Sequence, residues 1–366
     1  MHKRLTFGVT LLTAATCSAG IAASAESAAP DLSAPSPAAS RSFVTGPPKE
    51  GGPVVVRANF HLRDLNDIDD EAETFEFGGV LTLTWHDARQ AFDPVASGFD
   101  EKVYQGAYQF NEVFNGWFPQ LVLANESGQY EELGVVLRVR PDGTLTLVQT
   151  VDATAEADLK LRRYPFDRQR LEAVFEVLGL DKKEVVLQAG SETTEFQVQL
   201  PQWTLTGVSA STRERPAPYA GREGGIASTF VVRMDVQRDS FFMLRLVVLP
   251  LVLIVMLSWS VFWMDRSSLG DRVNVSFIGI LTAVAYQIVV SEILPNISYM
   301  TWMNGFLNLS FIIMCATVVV NLVVGVRDAQ GRHDAGDRID RRCRWVFPLS
   351  YFGLLLVMVG VTFLFF

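Results

Sequence analysis

One apolar segment, Gly270–Pro295, is long enough to cross a bilayer as a helix, yet it carries polar side chains within it. Polar groups at membrane depth are costly unless they face protein or water. Residues at steps of three and four lie on one face of a helix, and here they form a seven-residue stripe of Asp271, Asn274, Ile278, Leu281, Ala285, Ile288 and Glu292. The stripe has carboxylates at both ends and an apolar middle, which is typical of a pore wall with charged mouths and a hydrophobic gate. Because one helix cannot enclose a pore, the pattern predicts a ring of subunits.

Four apolar segments near the end of the chain each suit one membrane crossing, and they span about residues 241–264, 273–294, 302–326 and 345–366. The linker between the third and fourth segments is rich in arginine, whereas the loop Pro295–Thr301 holds no lysine or arginine. Cytoplasmic loops carry an excess of positive charge. We therefore expect the arginine-rich linker in the cytoplasm, with the N-terminal domain and the C-terminus outside.

The N-terminus has the features of a secretory signal peptide over residues 1–25: basic residues, an apolar core and a small-residue cleavage site. Residues 26–53 are rich in Ala, Ser, Pro and Gly and are predicted to form a disordered linker. Cys17 would be removed with the signal, so the exported domain contains no cysteine. Its core must therefore hold without disulfides.

Residues 54–238 show the period-two alternation of β-strands. In Thr74–His86 the odd positions are apolar or glycine and the even positions are mostly polar, which predicts a strand with one buried face. Pro141-Asp142-Gly143 predicts the turn of a hairpin. Many short strands predict an extracellular immunoglobulin-like β-sandwich, followed in residues 239–366 by a four-helix transmembrane bundle. The expected fold class is a β + α membrane protein.

The formal net charge is −9. An acidic outer domain would attract cations, although solubility explains the charge equally well. No nucleophile–base arrangement or metal-ligand cluster stands out, so neither an enzyme nor a cofactor is expected, and nothing suggests nucleic-acid binding. Two alternatives to a channel are weaker: a membrane-anchored periplasmic ligand-binding receptor that does not conduct, and an exported enzyme on a membrane anchor. The receptor would not need the polar residues Asn274 and Glu292 on its second span, and the enzyme would need only one membrane anchor.

Several motifs follow one another in a characteristic order. They are Trp85-His86-Asp87, Trp117-Phe118-Pro119, Tyr164-Pro165-Phe166-Asp167, Arg238 before the first apolar segment, Pro250 and Ser258-Trp259 within it, and Gly270-Asp271-Arg272 with Leu294-Pro295 around the second. In these motifs the chain resembles, from about Val54 to Phe366, the pentameric ligand-gated ion channels of the Cys-loop receptor superfamily, and in particular the proton-gated bacterial members. The cysteines that flank the proline-containing tip in animal members are Ala157 and Leu171 here, and bacterial members likewise lack them.

The resemblance implies a homopentamer in the bacterial inner membrane, in which four further copies of the chain complete a pore for monovalent cations. Asp271 would form a ring of carboxylates that selects cations at the cytoplasmic mouth, and Asn274 would line the narrowest open section. Anion-selective members typically carry a Pro-Ala pair at this mouth, which is absent here. Arg272 is the objection to this assignment, but in the family the adjacent basic residue points away from the pore. A helix N-cap is the structural alternative for Asp271.

Leu281 takes the central girdle position of the family and would form the gate with Ile288. Glu292 would form an outer ring of carboxylates. The alternatives are ordinary core packing for the apolar residues and a solvated helix end for Glu292.

The resemblance also implies an interface that couples the β domain to the pore. Asp70 in the loop between the first two strands, Asp167 at the tip and Arg238 would meet at the membrane surface, because arginine can pair with two carboxylates in a fixed geometry. The other expected coupling residues are Pro165, Pro295 and Tyr299. A static cluster that only holds the two domains together is the alternative.

The agonist pocket is the weakest part of the resemblance. The positions of the aromatic cage in amine-binding members hold Val80, Ala124 and Leu178, which leaves Tyr219 as the aromatic candidate. A quaternary ammonium agonist is therefore not expected. Protons or another small molecule are expected instead, with Glu73 as the candidate proton sensor, and an ordinary solvated acidic loop is the alternative.

Overall fold

The computed structural model describes residues 46–49, 51–190, 200–217, 225–264 and 269–365. The predicted signal peptide and most of the predicted linker lie outside these residues. Ten strands precede four long helices in the described part of the chain. The strands are β1 Val54–Asp69, β2 Thr74–His86, β3 Lys102–Gln105, β4 Leu121–Leu123, β5 Glu126–Val139, β6 Thr144–Glu156, β7 Arg168–Val177, β8 Val185–Ala189, β9 Trp203–Pro216 and β10 Ile226–Arg238.

The strands form two sheets, a six-stranded one in the order β3-β5-β6-β2-β1-β8 and a four-stranded one in the order β4-β7-β10-β9. The edge pair β1–β8 is parallel, and the other pairs are antiparallel. Phe60 and Phe77 of the larger sheet meet Phe175 of the smaller one, with ring centroids 5.8 and 6.4 Å apart. The sheets therefore pack face to face around an aromatic core, and the predicted β-sandwich is confirmed.

Strand β2 and the hairpin that follows β5 form for the reasons expected from the sequence. Burial along β2 alternates except around its two glycines. In the turn, Asp142 accepts the Thr144 amide at 2.9 Å. Gly143 has φ +85°, and a Cβ there would lie 2.7 Å from the Asp87 carbonyl oxygen. Only glycine fits this backbone conformation and this close approach.

An ionic cluster ties together the three longest strands of the smaller sheet. Glu172 on β7 accepts two hydrogen bonds from Arg213 on β9, at 2.6 and 2.8 Å, and one from Arg233 on β10 at 3.1 Å. The hydrogen bonds from Arg213, and then those from Arg233, hold the pKa of Glu172 below its ordinary value although partial burial opposes them. The cluster therefore stabilises the sheet when Glu172 is ionised.

Glu172→Gln is expected to lower the free energy of unfolding at neutral pH by about 1 kcal/mol, discounted for the exposure of both arginines. Because the folded-state pKa is depressed, this stabilisation is present above the unfolded-state pKa and is lost as pH falls through the folded-state value. Thermal unfolding of the detergent-solubilised protein at neutral and acidic pH measures the difference. Glu214→Gln is the matched control, since the Glu214 pair with Lys182 is more exposed; an equal loss in both variants would contradict the expectation.

The four long helices are α1 Ser240–Trp263, α2 Leu269–Ser291, α3 Trp302–Ala329 and α4 His333–Phe365. Each of them is long and apolar enough to cross a membrane. In α1, residues Leu244–Val248 form a π-helical turn just before Pro250. The chain is thus a β-sandwich followed by four membrane helices.

The predicted start of the fourth helix is wrong. The apolar pattern begins at Trp345, but the helix begins at His333, and the arginine-rich segment lies in the end of α3 and the start of α4 around a short turn. Hydropathy marks the part of a helix at membrane depth, whereas charged residues continue the same helix into water.

Candidate functional site: the α2 face and the domain interface

Helix α2 has one free face and one packed face. All members of the seven-residue stripe are exposed in the single chain, and Ile278, Leu281 and Ile288 are 63, 70 and 61% exposed. The opposite face is buried, and its buried members are Arg272, Ser276, Ala283 and Val290. Simple core packing is therefore the wrong explanation for the apolar stripe residues within one subunit.

The two ends of the stripe differ in their helical position. Asp271 is the third residue of α2, so the N-cap alternative is wrong, although a carboxylate in the first turn still complements the helix dipole. Glu292 is exposed and follows Ser291, the last residue of the helix. Arg272 is turned inward and is 1% exposed, so its guanidinium does not share the free face with Asp271.

A tyrosine that the sequence analysis missed links α2 to α1. Pro250 has no N–H and so cannot donate to the carbonyl of Leu246, four residues earlier. The hydroxyl of Tyr286 lies 2.7 Å from that oxygen and 3.1 Å from the carbonyl oxygen of Val247. The pore helix candidate thus supplies the donor that the proline removes. Pro250 was visible in the sequence, but its partner depends on how the two helices pack.

Tyr286→Phe is expected to destabilise the protein by about 1 kcal/mol, because it removes the hydroxyl that bonds the carbonyl oxygens of Leu246 and Val247. The loss is expected to shrink in a Pro250→Ala background, where the amide of residue 250 takes over. Thermal unfolding of the single and double variants measures this coupling. Tyr351→Phe removes a comparable hydroxyl, bonded to Ser310 at 2.8 Å; its loss should be independent of Pro250. Strict additivity of Tyr286→Phe and Pro250→Ala would rule out the link.

Arg238, at the end of β10, lies between two carboxylates. Its Nη2 is 2.6 Å from Asp70 Oδ1, and its Nε is 2.9 Å from Asp167 Oδ1. Its guanidinium also stacks 4.0 Å above Trp203 and 4.6 Å above Tyr164. Burial raises the pKa of Asp70 although Arg238 opposes this, and burial raises the pKa of Tyr164 to about 12. The structure therefore brings the three expected coupling residues together; their role in gating stays a prediction.

The tip that carries Pro165 contacts the membrane helices directly. Ser240 Oγ, at the start of α1, donates to the Pro165 carbonyl at 2.7 Å. Tyr299, in the loop between α2 and α3, accepts the Leu161 amide at 3.1 Å. Phe166 packs edge-on against Trp302 with centroids 5.2 Å apart. The tip and the residues just before it therefore contact α1, α3 and the loop after α2.

The other expected residues near this interface are more peripheral. Pro295 is half-buried in the loop after α2, and its carbonyl accepts the Ile297 amide at 3.1 Å. Glu73 is exposed and lines a cleft of about 940 Å³ together with Arg163 and Tyr299.

The described members of the expected agonist pocket belong to both sheets of the subunit. Val80 lies on β2 in the larger sheet. Ala124 and Leu178 adjoin the β4–β7 pair of the smaller sheet, where Ala124 bonds Val174 and Leu178 bonds Gln120 at the opposite end. Tyr219 lies outside the described residues. A pocket at the subunit interface, where the family builds it, stays a prediction for these positions. Among the described residues, no group of three His, Cys, Asp or Glu side chains could hold a metal ion.

The comparisons with known proteins agree with this architecture. Residues 43–239 match the neurotransmitter-gated ion-channel ligand binding domain, and residues 247–334 match the neurotransmitter-gated ion-channel transmembrane region. The chain is 28% identical over 322 residues to the proton-gated ion channel of Gloeobacter violaceus, covering 87% of this chain and 86% of that protein. It is 25% identical over 288 residues to human gamma-aminobutyric acid receptor subunit rho-3, covering 76% of this chain and 59% of that subunit. The chain therefore belongs to the neurotransmitter-gated ion-channel family, as a bacterial-type pentameric ligand-gated channel.

Proposed function

We propose that this chain forms a homopentameric, cation-selective channel that a stimulus at its β domain opens. The exposed seven-residue stripe carries the proposal, because α2 buries its opposite face inside the subunit and leaves carboxylates and an amide free. Polar groups at membrane depth are retained where they face water or protein. Five copies of α2 around an axis would place this face against the water of the pore and against neighbouring subunits. Asp271 would then lie at the cytoplasmic mouth and Glu292 at the outer mouth.

In this proposal the β domain and the C-terminus lie outside the bacterial inner membrane, with residues 1–25 acting as the export signal. The arginines around the turn between α3 and α4 support this orientation through the excess of positive charge in cytoplasmic loops. Four crossings place both ends of the membrane domain on the same side.

Protons are the stimulus that the β domain supports best, and a small molecule at the segment that holds Tyr219 is the other candidate. The name of the Gloeobacter relative supports protons. Burial raises the pKa of Asp70, with Asp167 and Asp69 adding to the effect and Arg238 opposing it. A proton taken up there would weaken the bond to Arg238 and so reach the coupling interface.

Voltage clamp of the full-length protein tests the proposal. A step of outside pH from neutral to mildly acidic is expected to evoke a current, and NaCl dilution is expected to give the reversal potential of a cation channel. Asp271→Asn is expected to lower the Na⁺ to Cl⁻ permeability ratio about tenfold, because five carboxylates leave the mouth. A wild-type reversal potential that follows Cl⁻ would refute cation selectivity. If acidification evoked no current although surface expression was confirmed, protons would be refuted as the sole stimulus.

A further inference from the structure

A buried ionic network joins three membrane helices beside Asp271. Arg272 on α2 donates from Nη2 to Oδ1 of Asp340 on α4 at 3.0 Å, and from Nη1 to Oδ2 at 3.1 Å. Its Nη2 also lies 3.3 Å from Oδ1 of Asn321 on α3, whose amide donates to Ser276 Oγ at 2.8 Å. The side chains of Arg272 and Asp340 are 1 and 7% exposed. The two-bond fork fixes the guanidinium in one orientation.

This network matters because Asp271 and Arg272 are neighbours with opposite charges. On their own they contribute no net charge to the cytoplasmic mouth, and a ring built from both would not favour cations. Asp340 adds one negative charge against the guanidinium, so Arg272 and Asp340 cancel each other inside the bundle. The exposed carboxylate of Asp271 is then left to set the field at the mouth.

We propose that Asp340 is a selectivity-determining residue that acts by holding Arg272 inside the subunit. The inference rests on the proposed function, in which Asp271 lines the mouth of a cation-selective pore. Asp340 is a positioning residue, since it touches Arg272 and not the free face of α2. It lies beyond residue 334, where the match to the family's transmembrane region ends.

Removing the Asp340 charge would force Arg272 to move. A guanidinium that keeps only the 3.3 Å contact to Asn321 would be an uncompensated buried charge, which is strongly unfavourable. In the proposed orientation the cytoplasm lies at the N-terminal end of α2, where the positive end of the helix dipole also repels the cation outward. In a pentamer, five arginines would then join the five Asp271 side chains at the mouth.

Asp340→Asn in the full-length channel tests this directly, because it keeps the shape of the side chain and removes its charge. The Na⁺ to Cl⁻ permeability ratio, taken from reversal potentials under NaCl dilution, is expected to fall about tenfold through the added positive ring. Asp334→Asn is the matched control, since it removes the same charge from an exposed position on the same helix. It is expected to leave the ratio within about threefold of wild type, because an exposed charge is screened by salt.

A relocated carboxylate separates positioning from a general effect on folding. Asn321→Asp combined with Asp340→Asn returns a negative charge to the same guanidinium from α3, and it is expected to restore the wild-type ratio. Arg272→Gln combined with Asp340→Asn removes both charges and is expected to be as cation-selective as wild type, including in the case where Asp340→Asn alone does not reach the membrane.

A wild-type ratio in Asp340→Asn would overturn the inference. A low ratio in the variant that lacks both charges would overturn it as well, since Asp340 would then act without Arg272. The wild-type recording tests the proposed function separately. A wild-type channel that selects Cl⁻ would refute cation selectivity, whereas the change in permeability ratio between wild type and Asp340→Asn measures the positioning effect.

Discussion

Leu281→Ser is expected to leave the channel conducting without any stimulus. Leu281 lies in the middle of the seven-residue stripe and is 70% exposed in the single chain. A ring of such side chains closes a pore by excluding water. Each leucine replaced by serine removes roughly 2 kcal/mol of apolar association. Over five subunits the change exceeds the few kcal/mol that separate two conformations of a protein, so the open state becomes the resting state.

The measurement is the current through the channel in a lipid bilayer at neutral pH with no ligand added. Leu257→Ser on α1 is the matched control, because Leu257 is also 70% exposed but does not lie on α2. It is expected to leave the resting current at the wild-type level. If Leu281→Ser left the resting current and the activation unchanged, Leu281 would not be part of the gate. An equal resting current in Leu257→Ser would show that the effect is not specific to the seven-residue stripe.

The features that sequence alone could predict are those encoded within one element. The alternation in β2 predicts which face of the strand is buried. The glycine at position 143 predicts a turn whose backbone conformation only glycine adopts. The steps of three and four residues in the seven-residue stripe likewise predict which face of α2 is free. In each case a periodic or local rule relates side chains that are close along the chain.

The features that sequence could not predict depend on contacts between distant elements. Arg272 and Asp340 are paired across helices, and Asp340 stood in a segment that hydropathy assigned to a linker. The hydroxyl of Tyr286 meets a carbonyl that Pro250 leaves free on another helix. Such pairings follow from packing and register, which no local pattern contains.

Asp167→Asn is expected to abolish the response to the stimulus that opens the wild-type channel. Asp167 is buried and holds Arg238 through two hydrogen bonds, at 2.9 and 3.3 Å, while Gln169 donates to it at 2.6 Å. Without this charge Arg238 is paired only with Asp70. Breaking a buried pair on one side costs about 3–5 kcal/mol, which is enough to reduce the evoked current by more than tenfold. Asp235→Asn, which breaks an exposed 3.4 Å pair with Arg170, is the control and is expected to respond like wild type.

The same substitution in a Leu281→Ser background decides whether the cluster couples the domains or only holds them together. If the cluster couples them, the double variant reaches the membrane and conducts at rest, because its pore is intact, but the stimulus no longer changes the current. If the cluster is a static support, resting current and surface expression fall together. A double variant that still responds to the stimulus would show that the signal reaches α2 by another route, such as the contact between Tyr299 and the Leu161 amide.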